Sequence, residues 1–374
     1  MKILVINWRD VKNPLAGGAE IYMQEIFRRI VSRGHEVTQL AVKFPGSTAE
    51  DTIDGIRIIR LGGANTFNFA VWSNLNRILR QGNYDLVIDD LNKIPFYSPW
   101  FCDKPVLVMM MHLFRKAVFS EVSFPFATYV YLTESLIPWC YRNNRFAVLS
   151  PSSKRDLLAF GIRDDKLVVI PPGTDTDRFK PDLSQKGEPL ILHVGRLKRY
   201  KSTDHLLEAA SRLKQAGKAF KVKIVGDGDD LPRLKEISAR LGLNELVEFT
   251  GFISEDDKVK LYQQAAVLVE NSIKEGWGLI VMEANACATP VVAARSPGLV
   301  DSVQDGKTGF LYEYGNVSEL TERLGQLLDD VQLRRTMGEA GVEWARSFSW
   351  DSATDKMLAT IEQTLAEARR PVTK

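Results

Sequence analysis

The chain has 374 residues, of which 45% are hydrophobic and 26% charged, enough for two domains with full cores in an ordinary globular protein. A formal net charge of +2 and the lack of any basic run interleaved with aromatics give no reason to expect a nucleic-acid partner. Cys102, Cys140 and Cys287 lie far apart with no Cys-x-x-Cys or Cys/His cluster, which weighs against a disulfide framework and against structural zinc.

The N-terminus runs directly into a strand-like segment, 3–6, with no signal peptide. No stretch of about 18 apolar residues is present to span a bilayer. The expected setting is cytoplasmic, with peripheral contact at the inner face of the membrane left open. Ala16-Gly17-Gly18-Ala19-Glu20 follows, then a helix whose Ile21, Ile26, Ile30 and Val31 keep helical spacing and which Gly34 ends. Further strands are expected at 36–42, 56–61, 86–88, 106–111 and 145–149. His112 lies just past the fourth of these, 106–111. Residues 119–141 are rich in aromatics (Phe119, Phe124, Phe126, Tyr129, Tyr131, Trp139 and Tyr141) but also hold Glu121 and Glu134, so the stretch does not span a membrane. It reads either as an acceptor pocket or lipid-touching patch, or as helices packed on the core.

Pro171-Pro172-Gly173 and the polar stretch to Pro189 read as a linker, because two prolines neither continue a helix nor donate to a ladder. Beyond it, strands are expected at 190–194, 221–225, 247–250, 267–270, 291–294 and 308–311, with Gly217 and Gly242 ending helices between them. Short β-branched runs alternating with amphipathic stretches give an α/β protein with parallel sheets. Each half opens as strand, glycine turn, helix, so two doubly wound domains are expected, facing each other across a cleft and binding ligands outside the carboxyl ends of their strands. The expected bounds are 1–170, 171–348, and a final helix over 349–374 that crosses back to the first domain. Trp344 to Ala368 is the expected extent of that helix, with Ser349 or Asp351 as cap. Residues 1–170 carry a net +5 and the remainder a net −3. A basic first half suits an anionic membrane surface or a phosphorylated acceptor, and a solvated asymmetry accounts for it equally well.

The densest chemistry lies at Glu275-Gly276-Trp277-Gly278-Leu279-Ile280-Val281-Met282-Glu283. Two carboxylates enclose a Gly-x-Gly turn, and a helix starting at the glycines would aim its first N–H groups at an anion, phosphate above all. One carboxylate could accept from sugar hydroxyls and the other from a ribose. The plain alternative is a buried helix after a glycine turn. Arg196 and Lys201 follow the first strand of the second half and offer one forked and one compact cation to a diphosphate. A solvated basic loop is the rival reading. Gly17 and Gly18 permit close backbone approach, but Gly-x-Gly-x-x-Gly is absent. His112 at a strand end could bond a sugar hydroxyl or be a satisfied structural histidine, and His193 inside a strand pattern is expected in the core. No carboxylate pair is set up as nucleophile and general acid, and no Asp-x-Asp metal motif is present.

These pieces together resemble the retaining glycosyltransferases of family 4. The resemblance rests on the Glu-x7-Glu stretch, on 16–20, on Ile170-Pro171-Pro172-Gly173-Thr174-Asp175 with Phe179 and Pro181, on Val194-Gly195-Arg196-Leu197 with Lys201, and on Ile224-Val225-Gly226-Asp227-Gly228. Gly306, Gly309 and Phe310 complete it. It implies the GT-B fold of two Rossmann-like domains, an acceptor-binding first domain and a donor-binding second one. It implies transfer of a hexose from a UDP- or GDP-linked sugar to a glycan, lipid-linked or small-molecule acceptor, with no cofactor or metal required. Glu275, Arg196, Lys201 and His112 are the implied catalytic residues. Gly17, Gly18, Gly226, Phe252, Ile253, Gly276, Trp277, Gly278, Leu279, Ile280 and Glu283 are the implied donor-binding ones. In that pattern the leaving diphosphate deprotonates the acceptor on the same face, giving retention. The alternatives are a nucleotide-dependent oxidoreductase, against which the missing dinucleotide fingerprint counts, and a non-catalytic sugar-nucleotide binding protein, against which Glu275, Arg196 and Lys201 count.

Overall fold

The computed structural model describes residues 1–91, 94–113, 115–120, 124–185 and 187–369. The chain forms two compact α/β units. Unit one is built on residues 1–118, the segment ending at Gly173 and the chain from Trp350; unit two is built on Thr174–Ser349.

Unit one carries β1 (Lys2–Ile6), β2 (Glu36–Val42), β3 (Glu50–Ile53), β4 (Ile56–Leu61), β5 (Leu86–Leu91), β6 (Val106–Met110), β7 (Arg145–Val148) and β8 (Leu167–Val169). They form one sheet in the order β3-β4-β2-β1-β5-β6-β7-β8, with every pair parallel except β3 and β4. Central strands such as Ile3-Leu4-Val5-Ile6 are apolar throughout and buried, as a parallel sheet covered on both faces requires. The order reverses between β1 and β5, and the carboxyl ends of those two strands define the switch point of this sheet.

Two strands were not expected from the sequence. β3 closes a hairpin on β4 through Asp54-Gly55, both at positive φ (47° and 79°), the geometry of a two-residue primed turn. β8 is only three residues long and ends against the Ile170-Pro171 break. β5 also runs past its expected end at 88, because Asp89 and Asp90, which read as a polar boundary, are fully buried within it.

The loop after β1 is anchored by a buried ion pair. Arg60 on β4 donates from Nε and Nη2 to the two oxygens of Asp10, at 2.7 and 3.0 Å. The helix Gly18–Ser32 then starts with Gly17 as N-cap, whose N–H donates to Glu20 Oε2 at 2.7 Å. Gly34, Gly217 and Gly242 each follow a helix end at positive φ.

The final helix is Trp350–Ala368, not a helix beginning at Trp344. Trp344 belongs to the preceding helix, Val331–Arg346, because its indole donates to Ser302 O at 2.7 Å and its ring meets Phe348 within unit two. The final helix packs on Gly18–Ser32 in unit one. Trp350 meets Tyr22, Asp351 and Asp355 pair with Arg29 and Arg33, and Glu367 takes Arg145 and Lys166.

Unit two carries β9 (Leu190–Val194), β10 (Lys221–Val225), β11 (Val247–Gly251), β12 (Val267–Glu270), β13 (Val291–Ala294) and β14 (Gly309–Tyr312). The order is β11-β10-β9-β12-β13-β14, parallel throughout. Its switch point lies between β9 and β12.

Candidate active site

At the switch point of unit two, the loops leaving β9 and β12 converge. Ile273 N donates to Tyr200 O at 3.0 Å and ties the two loops together. Lys201, nearly buried, places Nζ 2.6 Å from Glu275 Oε1 and 3.6 Å from Glu270 Oε1. Burial by itself would lower the Lys201 pKa, but the charges of Glu270 and Glu275 outweigh it and hold the ammonium well above its ordinary range. Glu270, the last residue of β12, is fully buried. Its Oε1 also accepts from the Ser272 backbone and hydroxyl, while Oε2 has no hydrogen-bond partner among the described residues. Glu270 carries no signal of its own in the sequence, since it closes an apolar strand run and stands six positions before the Gly-x-Gly turn. His193 is a core histidine, as expected. Burial lowers its pKa, Nδ1 lies 3.0 Å from Val269 O, and Nε2 lies 3.2 Å from Thr203 Oγ1.

Backbone contacts closer than any Cβ permits shape this end of the sheet. A Cβ on Gly226 would stand 2.0 Å from Gly195 O, so the chain ends of β9 and β10 approach this closely only because residue 226 is glycine. Gly298, at φ +83°, has the same relation to the site residue itself. A Cβ there would lie 2.2 Å from Glu275 O and 3.2 Å from Glu275 Cβ. Glu275 N donates to Pro297 O at 3.0 Å, so the 297–298 turn clamps the glutamate's backbone. The sequence signal for this turn is Pro297-Gly298 after β13.

Gly276, Trp277 and Gly278 are buried, and Trp277 packs edge-on against Phe348. Gly278 is the N-cap of the helix Leu279–Ala286, so Leu279 and Ile280 supply the first-turn N–H groups that lack intrahelical acceptors. Glu283 lies inside that helix, apart from the Lys201–Glu275 contact. Tyr262 OH donates to its Oε2 at 2.8 Å and Lys258 Nζ lies 3.3 Å away. Burial pushes its pKa up, against the opposing pull of Lys258. Arg196 is exposed, and its guanidinium makes no hydrogen bond or ion pair among the described residues. Phe252 is exposed and Ile253 half-buried just beyond β11, while Gly226 ends β10 beside them through its N–H to Gly251 O at 2.9 Å.

The remaining candidates, Gly17, Gly18 and His112, belong to unit one. Gly17 and Gly18 open the first helix beyond β1. His112 is half-buried beyond β6 and lines a small pocket with Leu91, Pro95, Leu113, Glu134 and Ile137. Asp90 at the end of β5 is a feature the sequence did not disclose. It is fully buried, neither carboxyl oxygen has a hydrogen-bond partner among the described residues, and burial, reinforced by Glu20 and Asp89, raises its pKa well above the carboxylate range. The aromatic stretch 119–141 is divided in role. Tyr141 is core, with its hydroxyl on Asp89 at 2.7 Å, whereas Phe124, Phe126 and Trp139 are exposed. Glu121 lies outside the described residues.

Two family models match in tandem: "Glycosyltransferase Family 4" over residues 16–178 and "Glycosyl transferases group 1" over 174–344. Among curated proteins, the chain is similar to the D-inositol 3-phosphate glycosyltransferase of Nocardia farcinica, at 35% identity over 56% of this chain and 50% of that one. It is also similar to the protein of that name from Corynebacterium aurimucosum, at 33% identity over 58% of each. The chain thus spans about half the length of the curated relatives it matches. Among solved structures, a sucrose-phosphate synthase from Thermosynechococcus elongatus shares the fold with a TM-score of 0.84, at 22% identity over 98% of this chain and 99% of that one. An Anabaena protein solved in complex with UDP and glucose does so with a TM-score of 0.78, at 19% identity over 97% and 100%. With both family models matched in order and two parallel-sheet α/β units behind them, the chain belongs to glycosyltransferase family 4 and has the GT-B fold.

Proposed function

We propose that the protein is a retaining glycosyltransferase that moves a hexosyl group from a nucleoside diphosphate sugar to an acceptor hydroxyl. The observation that carries this reading is the Lys201–Glu275 contact at the switch point of unit two, where open parallel sheets hold their ligands. Glu275 accepts from donor sugar hydroxyls. Lys201, kept charged by its two carboxylates, and the exposed Arg196 neutralise the diphosphate, with the first turn of Leu279–Ala286 adding its N–H groups. Glu283 takes the ribose with the lone pairs that Tyr262 and Lys258 leave open. Gly226, Phe252 and Ile253 face the base.

In the proposed step the bond from the anomeric carbon to the diphosphate breaks. The acceptor oxygen bonds that carbon on the same face, and its proton passes to a diphosphate oxygen. The protein contributes positioning and charge stabilisation, without a covalent intermediate or a metal. The acceptor is a glycan, lipid-linked or small-molecule hydroxyl. The curated relatives are named for D-inositol 3-phosphate, which makes a polyol phosphate the first acceptor to offer. Family membership removes the oxidoreductase alternative. A non-catalytic binding protein is separated from the enzyme by assaying donor turnover.

The donor is tested by thermal shift with UDP, GDP, ADP and their sugars. A ligand bound to the native state stabilises it by about 2.7 kcal/mol at a hundredfold excess over Kd, so the true base stands out from the others. No shift with any nucleotide sugar at millimolar concentration overturns the donor assignment.

A further inference from the structure

Lys201 faces two carboxylates that differ in kind. Glu270 is fully buried at the end of β12, and its Oε1 is held by the turn that follows. The Ser272 backbone N–H donates to that oxygen at 3.2 Å, and the Ser272 hydroxyl donates to it as well. The turn is itself tied down, since Ser272 O accepts from the Ser296 hydroxyl at 2.7 Å. The Glu270 carboxylate is thereby held in one orientation. The Glu275 side chain is 20% exposed, against 0% for Glu270. Its backbone is clamped through Pro297 O, a clamp that does not fix the side-chain torsions. Of the two carboxylates, Glu275 is the one able to move.

The two tasks of Glu275 compete. Its Oε1 lies 2.6 Å from Lys201 Nζ, a charge-assisted hydrogen bond. To accept from sugar hydroxyls it must loosen that bond, and Lys201 must turn an N–H toward the diphosphate. A nearly buried ammonium that gives up its nearest carboxylate is costly to hold unless a second one remains. Glu270, 3.6 Å from Nζ, is that second one. We propose that Glu270 is a positioning residue of the transfer reaction, the fixed counter-charge that holds Lys201 while Glu275 exchanges the lysine for the donor sugar. This role rests on the donor site proposed above, and it carries a cost. Two carboxylates against one ammonium leave an excess negative charge, which opposes a bare diphosphate.

Glu270→Gln tests this, because it keeps the shape and the acceptor for Ser272 and removes the charge. UDP, GDP and ADP and their glucose conjugates are the probes, and the base that binds the wild-type protein most tightly is carried forward. The variant leaves Lys201 with Glu275 alone of the two carboxylates, so that pair should tighten while the site loses a negative charge. The Kd for the bare nucleoside diphosphate should therefore fall about threefold, while kcat with the sugar form falls about tenfold. Structural damage would instead raise that Kd. An unchanged kcat, or a diphosphate Kd that does not fall, overturns the proposal. Ser272→Ala removes one hold on Glu270 and keeps its charge, so kcat should fall about threefold with the diphosphate Kd unchanged. Full kcat in that variant overturns the proposal as well, and decides it if Glu270→Gln does not fold. A wild-type protein that binds none of the probes overturns the donor site itself, an outcome distinct from an active wild type whose Glu270→Gln variant behaves identically.

Discussion

Lys201 is nearly buried, and two carboxylates beside it, Glu275 at 2.6 Å and Glu270 at 3.6 Å, favour its charged form against that burial. Replacing Lys201 or Glu275 with alanine should lower turnover by at least ~10²-fold, the scale of losing one preorganised charge contact. Initial rates at saturating donor measure this, and a near-normal rate removes that residue from the site. Asp90 supports a separate test. Its native pKa is raised, so unfolding releases a proton. Stability is therefore full below the ordinary carboxylate pKa and falls as pH rises through the raised value. Asp90→Asn should flatten that decline between weakly acid and neutral pH and change little in strong acid, as read from denaturant midpoints across pH. A parallel pH profile for variant and wild type contradicts it. Glu275 was legible in the sequence because the Gly-x-Gly turn follows it, and Lys201 because it follows the first strand of the second half in a cation-rich segment. Glu270 and Asp90 were not, because each sits in a strand and its burial depends on neighbours far away in the chain.

At the scale of elements, turns and loops are held by contacts that local sequence conceals. The loop beyond β1 rests on Asp10, buried against Arg60 fifty positions on. Asp10→Ala would strand a buried guanidinium that keeps only Asp51 as a carboxylate partner, and should cost about 3 kcal/mol in chemical denaturation. A loss below about 0.5 kcal/mol would mean that water reaches Arg60 freely. The 297–298 turn makes a sharper case, because a Cβ on Gly298 collides with the Glu275 backbone. Gly298→Ala should lower turnover toward that of Glu275→Ala, although residue 298 presents no functional group of its own. Full activity in that variant would show that the clamp is dispensable. The hairpin of β3 on β4 carries an Asp-Gly signal that alternation alone did not reveal, since β3 is half exposed and charged. The helix ends at Gly34, Gly217 and Gly242 could be read directly, because a left-handed residue after a helix selects glycine.

Over the whole molecule, two parallel α/β sheets could be read from alternating apolar and amphipathic segments, because strands buried on both faces keep one long apolar signature. The final helix was harder. Its start at Trp350 is set by the aromatic contact of Trp350 with Tyr22, while Trp344 is claimed by Ser302 and Phe348 in the other unit. Periodicity runs through both tryptophans and does not reveal the break. The surface was legible only as an aromatic excess over 119–141, and the fold decided which of those rings are core and which are exposed. The account's central claim is transfer with retention from a nucleotide sugar. Its most direct test is a proton NMR time course of the protein with its preferred nucleotide sugar and a polyol phosphate acceptor. The account predicts a new anomeric signal with the donor's configuration, growing in step with free nucleoside diphosphate. An inverted linkage, or a donor that is neither transferred nor hydrolysed, would contradict it.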